Sequence, residues 1–203
     1  MDSLDELVHR TRGLRPWRKV FHAFNGLVVA GALTLLDLDH RVAVAILGAV
    51  AASLLVVDVV RLRHRGVNEL FFRSFAHLAS PREATALASS TWYALGVLLI
   101  VAVAPTPAAV SGVLVLGLAD PVGSVAGQLW GRRPCLGGTV LGTATFLAVA
   151  LAILLARHAW PVAGGAALLA TLSERRSWPL DDNFTIPVVT GLSLWGLDKL
   201  LYP

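Results

Sequence analysis

Near its C-terminus the sequence reads SERRSWPLDDNFTIPVVTGLSLWGLDKLL, with Asp181, Asp182 and Asn183 at the start of an apolar segment. Adjacent carboxylates repel each other and hold water tightly, and one of them is enough to cap a helix. With Glu174 they make a set of hard oxygen donors of the kind that holds Mg²⁺. Another carboxylate, Asp120, lies inside an apolar run and is followed at once by Pro121. In that position it is costly unless paired, hydrated or metal-bound. The proline removes a helix hydrogen bond and opens the backbone beside it. A third stretch, RRPCLGGTVLGT, sets Gly137 and Gly138 ahead of Thr139, a good N-cap, with Arg132 and Arg133 close by. A glycine turn before a helix N-terminus, flanked by arginines, suits phosphate. A tight loop with topology-setting arginines is the other reading of that stretch. The GxxxxGK[ST] pattern of a nucleotide P-loop is absent. A metal site and a phosphate clamp together are the recurring parts of phosphoryl transfer.

Further polar groups line up on predicted helices. Arg18 and Lys19 precede His22 by about one turn, and Asn25 and Gly26 extend that polar line into an apolar segment. Asp58, Arg61 and Arg65 share a helix face, and Glu69 and Arg73 have the spacing of an ion pair. An interfacial ladder of ion pairs accounts for these as well as a site does. Gly123, Gly127 and Gly131 recur every four residues, the pattern of close helix packing.

These groups need elements to hold them, and the composition says which kind. Of the 203 residues, 56% are hydrophobic, against about 45–50% in a soluble domain. The apolar residues form seven runs: 20–36, 42–60, 84–104, 108–130, 139–156, 160–172 and 184–201. The expected fold is therefore an all-α polytopic membrane protein with about seven transmembrane helices, some broken or short. Six spans are expected if 160–172, which holds Gly164 and Gly165, only half-crosses. Residues 1–17 are expected to form an amphipathic segment at the cytoplasmic membrane surface, with Leu4, Leu7 and Val8 on one side. Residues 18–203 are expected to form a single membrane-embedded domain. The first apolar run lacks a small-residue cleavage site and reads as an anchor. Cys135 is the only cysteine, which excludes an intrachain disulfide and a cysteine metal cluster. A net charge of +4 is too small and dispersed for nucleic acid.

The basic residues set orientation. With the N-terminus inside, all of the 17 except Arg41, Arg157 and Lys199 fall on the cytoplasmic side. Every polar cluster described above then shares that face, so four separate pieces of sequence can build one site for a soluble cosubstrate.

The order of these residues carries a family resemblance: Arg18-Lys19-x-x-His22-x-x-x-Gly26, Asp58-x-x-Arg61, Arg82-Glu83, Asp120, Gly131-Arg132-Arg133, Gly142, Glu174, and Asp182-Asn183-x-x-x-Pro187. It resembles the CTP-dependent lipid kinases: dolichol kinase, phytol kinase and the CTP-using diacylglycerol kinase, distant kin of phosphatidate cytidylyltransferase. The resemblance runs from about Arg18 to Gly191. It implies an integral membrane enzyme, placed in the cell membrane if the chain is prokaryotic, that moves the γ-phosphate of CTP or another nucleoside triphosphate to a lipid alcohol such as dolichol, phytol or diacylglycerol. Asp120, Asp182, His22 and Asp58 would then be catalytic. Arg18, Lys19, Arg61, Gly131, Arg132, Arg133, Thr139 and Asn183 would bind nucleotide. Asp120, Glu174, Asp181 and Asp182 would hold Mg²⁺. Where such enzymes carry a lysine this chain has Gly138, and Arg132 or Arg133 is expected to take its place. The partners implied are the lipid alcohol and the nucleotide, with homodimerisation left open. Two alternatives stand beside this reading: a cytidylyltransferase or CDP-alcohol phosphotransferase, and a small ion-coupled transporter using Asp58 and Asp120.

Overall fold

The computed structural model describes residues 4–11, 13, 16–36, 38–175 and 180–203. Arg12, Arg15, Arg176, Trp178 and Pro179 lie outside them. Each of the seven apolar runs forms a helix. These are α2 (Pro16–Leu35), α3 (His40–Arg63), α5 (Ser89–Val103), the continuous pair α6 (Thr106–Leu114) and α7 (Asp120–Trp130), α8 (Val140–Leu155), α9 (Trp160–Arg175) and α10 (Asp182–Leu201). Two short α-helices also stand among the described residues, α1 (Leu4–Arg10) and α4 (Arg65–Ser74), the latter following α3 after a break at His64, and Pro81–Ala84 forms a 3-10 turn. Among the described residues three helical stretches are long and apolar enough to cross a membrane: His40–Arg63, Thr106–Trp130 and Asp182–Leu201. Helices α5 and α8 are apolar but shorter.

The core sits between α5, α6, α8, α9 and α10, where Ile100, Leu116, Phe146, Ala166 and Ile186 are fully buried. By contrast α3 turns Val42, Ile46, Val50 and Val56 outward. That inversion suits an apolar surrounding, because each such side chain gains roughly 1.5–3 kcal/mol on leaving water.

Pro121 has the local consequence its chemistry demands. It cannot donate to the carbonyl one turn back, and the chain passes through a π-turn at Val115–Ala119 between α6 and α7. Helix α2 crosses this turn so closely that a Cβ on Gly26 would lie 2.8 Å from Gly117 Cα. The crossing brings the His22 end of α2 towards Asp120.

Helix α1 differs from expectation in its surroundings. Leu4, Leu7 and Val8 do share a side, but that side packs on α4 with Phe72 and Ala79. The glycine-rich loop also differs. Pro134–Cys135 (β1) pairs antiparallel with Gly138–Thr139 (β2), so a two-residue hairpin stands in an otherwise helical chain. Both turn residues have positive φ, +39° at Leu136 and +79° at Gly137, the combination that a tight hairpin requires.

Candidate active site

The ends of α2, α7, α9 and α10 and the hairpin enclose a cavity of about 510 Å³. Arg18, Lys19, His22, Asp120, Thr139, Glu174, Asp181, Asp182 and Asn183 all line it. Residues from four distant pieces of sequence thus share one space. Four carboxylates (Asp120, Glu174, Asp181, Asp182) face four cationic side chains (Arg18, Lys19, Arg82, Arg175). A second cavity, of about 810 Å³, shares the wall formed by Arg18, Lys19, Arg82, Asp181 and Asp182, and continues past Leu87 and Trp92.

The two adjacent aspartates divide their work. Asp181 is the N-cap of α10, and its carboxylate accepts from Asn183 N at 3.1 Å. The Asn183 side-chain amide donates to Asp181 Oδ1 at 2.5 Å and to Asp182 Oδ1 at 3.2 Å. Asn183 is therefore a brace that holds two like charges side by side. Asp182, in the first turn of α10, remains accessible from the cavity. Asp120, half-buried at the start of α7, makes no hydrogen bond or ion pair among the described residues. Both Asp120 and Asp181 lie within electrostatic reach of Asp182. His22 is buried, its Nδ1 has no hydrogen-bond partner among the described residues, and its ring meets Tyr93 edge-on with centroids 5.5 Å apart.

A magnesium ion fits this donor set only in company. Among the described residues no group of three or more His, Cys, Asp or Glu is placed to hold an ion alone. Mg²⁺ normally takes one or two carboxylates and fills its octahedron with substrate phosphates and water. Asp120 and Asp182 are the carboxylates free to serve in that way. Asp181 and Glu174 are already engaged, the first in capping and the second in an ion pair with Arg175.

Five expected site residues fall outside the cavity lining. Asp58 and Arg61 pair with each other at 2.5 Å and are fully enclosed. Arg61 also donates to Asn68 Oδ1, Glu83 O and Ala86 O, while Asp58 accepts from Ala88 N and Thr91 Oγ1 at 2.7 Å each. Their face is a bracket for residues 83–91 and not a ligand surface. Arg65 leaves that face because α3 ends before it, and it pairs instead with Glu69 at 3.1 Å. Gly131 packs against Thr139, and Arg132 and Arg133 are exposed outside the lining. Thr139 lines the cavity, but its hydroxyl caps α8 by accepting from Gly142 N at 3.1 Å. The sequence reading missed Arg175 and Arg82 as site cations, because basic residues at helix ends are also what sets topology. Comparison with family models, with curated proteins and with solved structures finds no match to this chain.

Proposed function

We propose that the chain is a membrane-embedded lipid-alcohol kinase that transfers the γ-phosphate of CTP or another nucleoside triphosphate to the hydroxyl of a long-chain alcohol. The single observation that supports this reading is the convergence of four carboxylates and four cations on one cavity that shares a wall with a second. Two substrates meeting at one charged wall is the arrangement that transfer between them requires. In this reading the seven apolar helices cross the bilayer and the cavity opens to the cytoplasm. The triphosphate lies in the smaller cavity, against Lys19, Arg82 and Arg175. The alcohol approaches through the larger one, along Leu87 and Trp92. Its oxygen attacks the γ-phosphorus, the bond to the β-bridging oxygen breaks, and the nucleoside diphosphate leaves. Asp120 and Asp182 would hold Mg²⁺, which when bound would supply charge neutralisation on the phosphates. The hydroxyl proton passes to a carboxylate of the shared wall. Asn183 keeps Asp182 in position, and the 83–91 segment, pinned by Asp58 and Arg61, keeps the second cavity open.

The test is a panel of purified protein with labelled CTP, ATP, GTP and UTP and several lipid alcohols. The expected product is a lipid monophosphate with release of nucleoside diphosphate. Release of pyrophosphate with a nucleotidyl lipid would assign the cytidylyltransferase alternative. No lipid product with any pair would reject the kinase reading.

A further inference from the structure

The hairpin turn brings backbone to the cavity wall, and Gly138 contributes no side chain there. The space is taken from another helix. A Cβ built on Gly138 would collide with Arg175 Nη1 and lie 2.7 Å from Arg175 Cζ. The guanidinium of the last residue of α9 therefore rests directly on the hairpin. Its orientation is fixed from one side. Arg175 Nε and Nη2 both meet the Glu174 carboxylate, so one edge of the fork is occupied. Nη1, at the other edge, has no acceptor among the described residues and borders the cavity that Asp120 and Asp182 also line.

Of the other arginines, Arg82 also lines the cavity, while Arg18, Arg132 and Arg133 are placed differently. Arg18 donates to Ser89 Oγ at 2.7 Å and lies 3.7 Å from Glu83. Arg132 and Arg133 are exposed outside the lining. We propose that Arg175 is the phosphate-gripping cation of this cavity, that Gly138 is a glycine because the guanidinium occupies its side-chain space, and that Glu174 orients that guanidinium. The proposal rests on the triphosphate reading above and adds to it the residue that takes the phosphate. An arginine held this way presents a planar edge to two phosphate oxygens at once. Lys19 and Arg82 supply point charges from the facing wall.

The experiment is calorimetric titration of purified, detergent-solubilised protein with magnesium tripolyphosphate and with magnesium CTP, alongside binding of a lipid alcohol. Arg175→Ala should weaken tripolyphosphate binding at least tenfold and leave alcohol binding unchanged. Gly138→Ala should do the same while retaining Arg175. Its new methyl displaces only the end of a flexible side chain, and Gly138 lies in a strand where alanine is accommodated. Arg175→Lys should fall between wild type and Arg175→Ala. If wild type binds tripolyphosphate and both alanine variants bind it equally well, Arg175 is not the phosphate cation, although the triphosphate reading survives. If wild type binds neither tripolyphosphate nor CTP, both fall together.

Discussion

Asp181 and Asp182 are chemically identical neighbours, and their surroundings make them different. Asp181 is turned to the backbone and the Asn183 amide, whereas Asp182 is accessible from the cavity. Substitution should separate them. Asn is as good an N-cap as Asp, so Asp181→Asn should change thermal stability little, while Asp181→Ala should cost about 1 kcal/mol. Asp182→Asn and Asp120→Asn keep shape but remove charge, and each should lower kcat by about 10²-fold or more, roughly 2.7 kcal/mol of barrier. Thermal melts and steady-state rates on the four variants test the division. Near-normal turnover in both Asp120→Asn and Asp182→Asn would remove these carboxylates from the mechanism. This much was legible in the sequence, because one carboxylate suffices for a cap and the second asks for another role. That Asn183 serves as brace was not legible, since it depends on the side-chain rotation of three consecutive residues.

Among the elements, the α3–α4 corner shows what a helical spacing leaves out. Asp58 and Arg61 do share a face, but the face is enclosed by the 83–91 segment, which lies distant in sequence. Helical periodicity gives the face and says nothing of what covers it. Removing one partner of such a pair leaves a buried, unpaired charge and typically costs about 3–5 kcal/mol. Arg61→Ala should therefore lower the melting temperature strongly, and Asp58→Ala/Arg61→Ala together should cost less than the two single changes added. If Arg61→Ala melts like wild type but has no activity, the pair belongs to the chemistry after all. A similar lock stands in the turn between α8 and α9. Ser111 Oγ accepts from Arg157 Nε at 3.0 Å and bonds His158 Nε2 at 2.8 Å. Burial holds His158 below its ordinary value of 6.5, Arg157 acts the same way, and Asp198 opposes them. The folded protein thus resists protonation that the unfolded chain accepts. The His158 contribution to stability is present above about pH 6.5 and is lost as pH falls below it. Melts at pH 7.5 and 5.5 should show a smaller acid loss in His158→Gln than in wild type. An equal loss in both would mean that the ring titrates as it does in the unfolded chain.

For the whole molecule, the seven apolar runs were legible because helices that bury one another and face outward are apolar all round. The compositional excess follows from α3-like surfaces. The hairpin was not legible as strands, since two residues on each side are too few to show alternation. Orientation can be tested from geometry as well as charge. Arg175 and Asp182 line the same cavity, and α9 and α10 both run away from it, for roughly 24 Å and 30 Å at 1.5 Å per residue. Trp160 and Tyr202 therefore end far from the site, and in the proposed seven-span arrangement they lie towards the opposite side of a bilayer core of about 30 Å. In the proposed orientation, set by the distribution of basic residues, the site faces the cytoplasm. In a Cys135→Ser background, Leu136→Cys on the hairpin and Leu70→Cys on α4 should react with a membrane-impermeant maleimide only from the cytoplasmic side. Trp160→Cys and Tyr202→Cys should react only from the opposite side. All four positions are more than half exposed, at 73%, 62%, 77% and 55%, so the protein itself shields none of them, and labelling again in detergent separates sidedness from burial in lipid. Tyr202→Cys reacting from the cytoplasm would leave six crossings, with α9 or α10 only half-inserted. Leu136→Cys and Leu70→Cys reacting from opposite sides would put the pieces of the cavity on different faces of the membrane, and the single-site reading would fail with them.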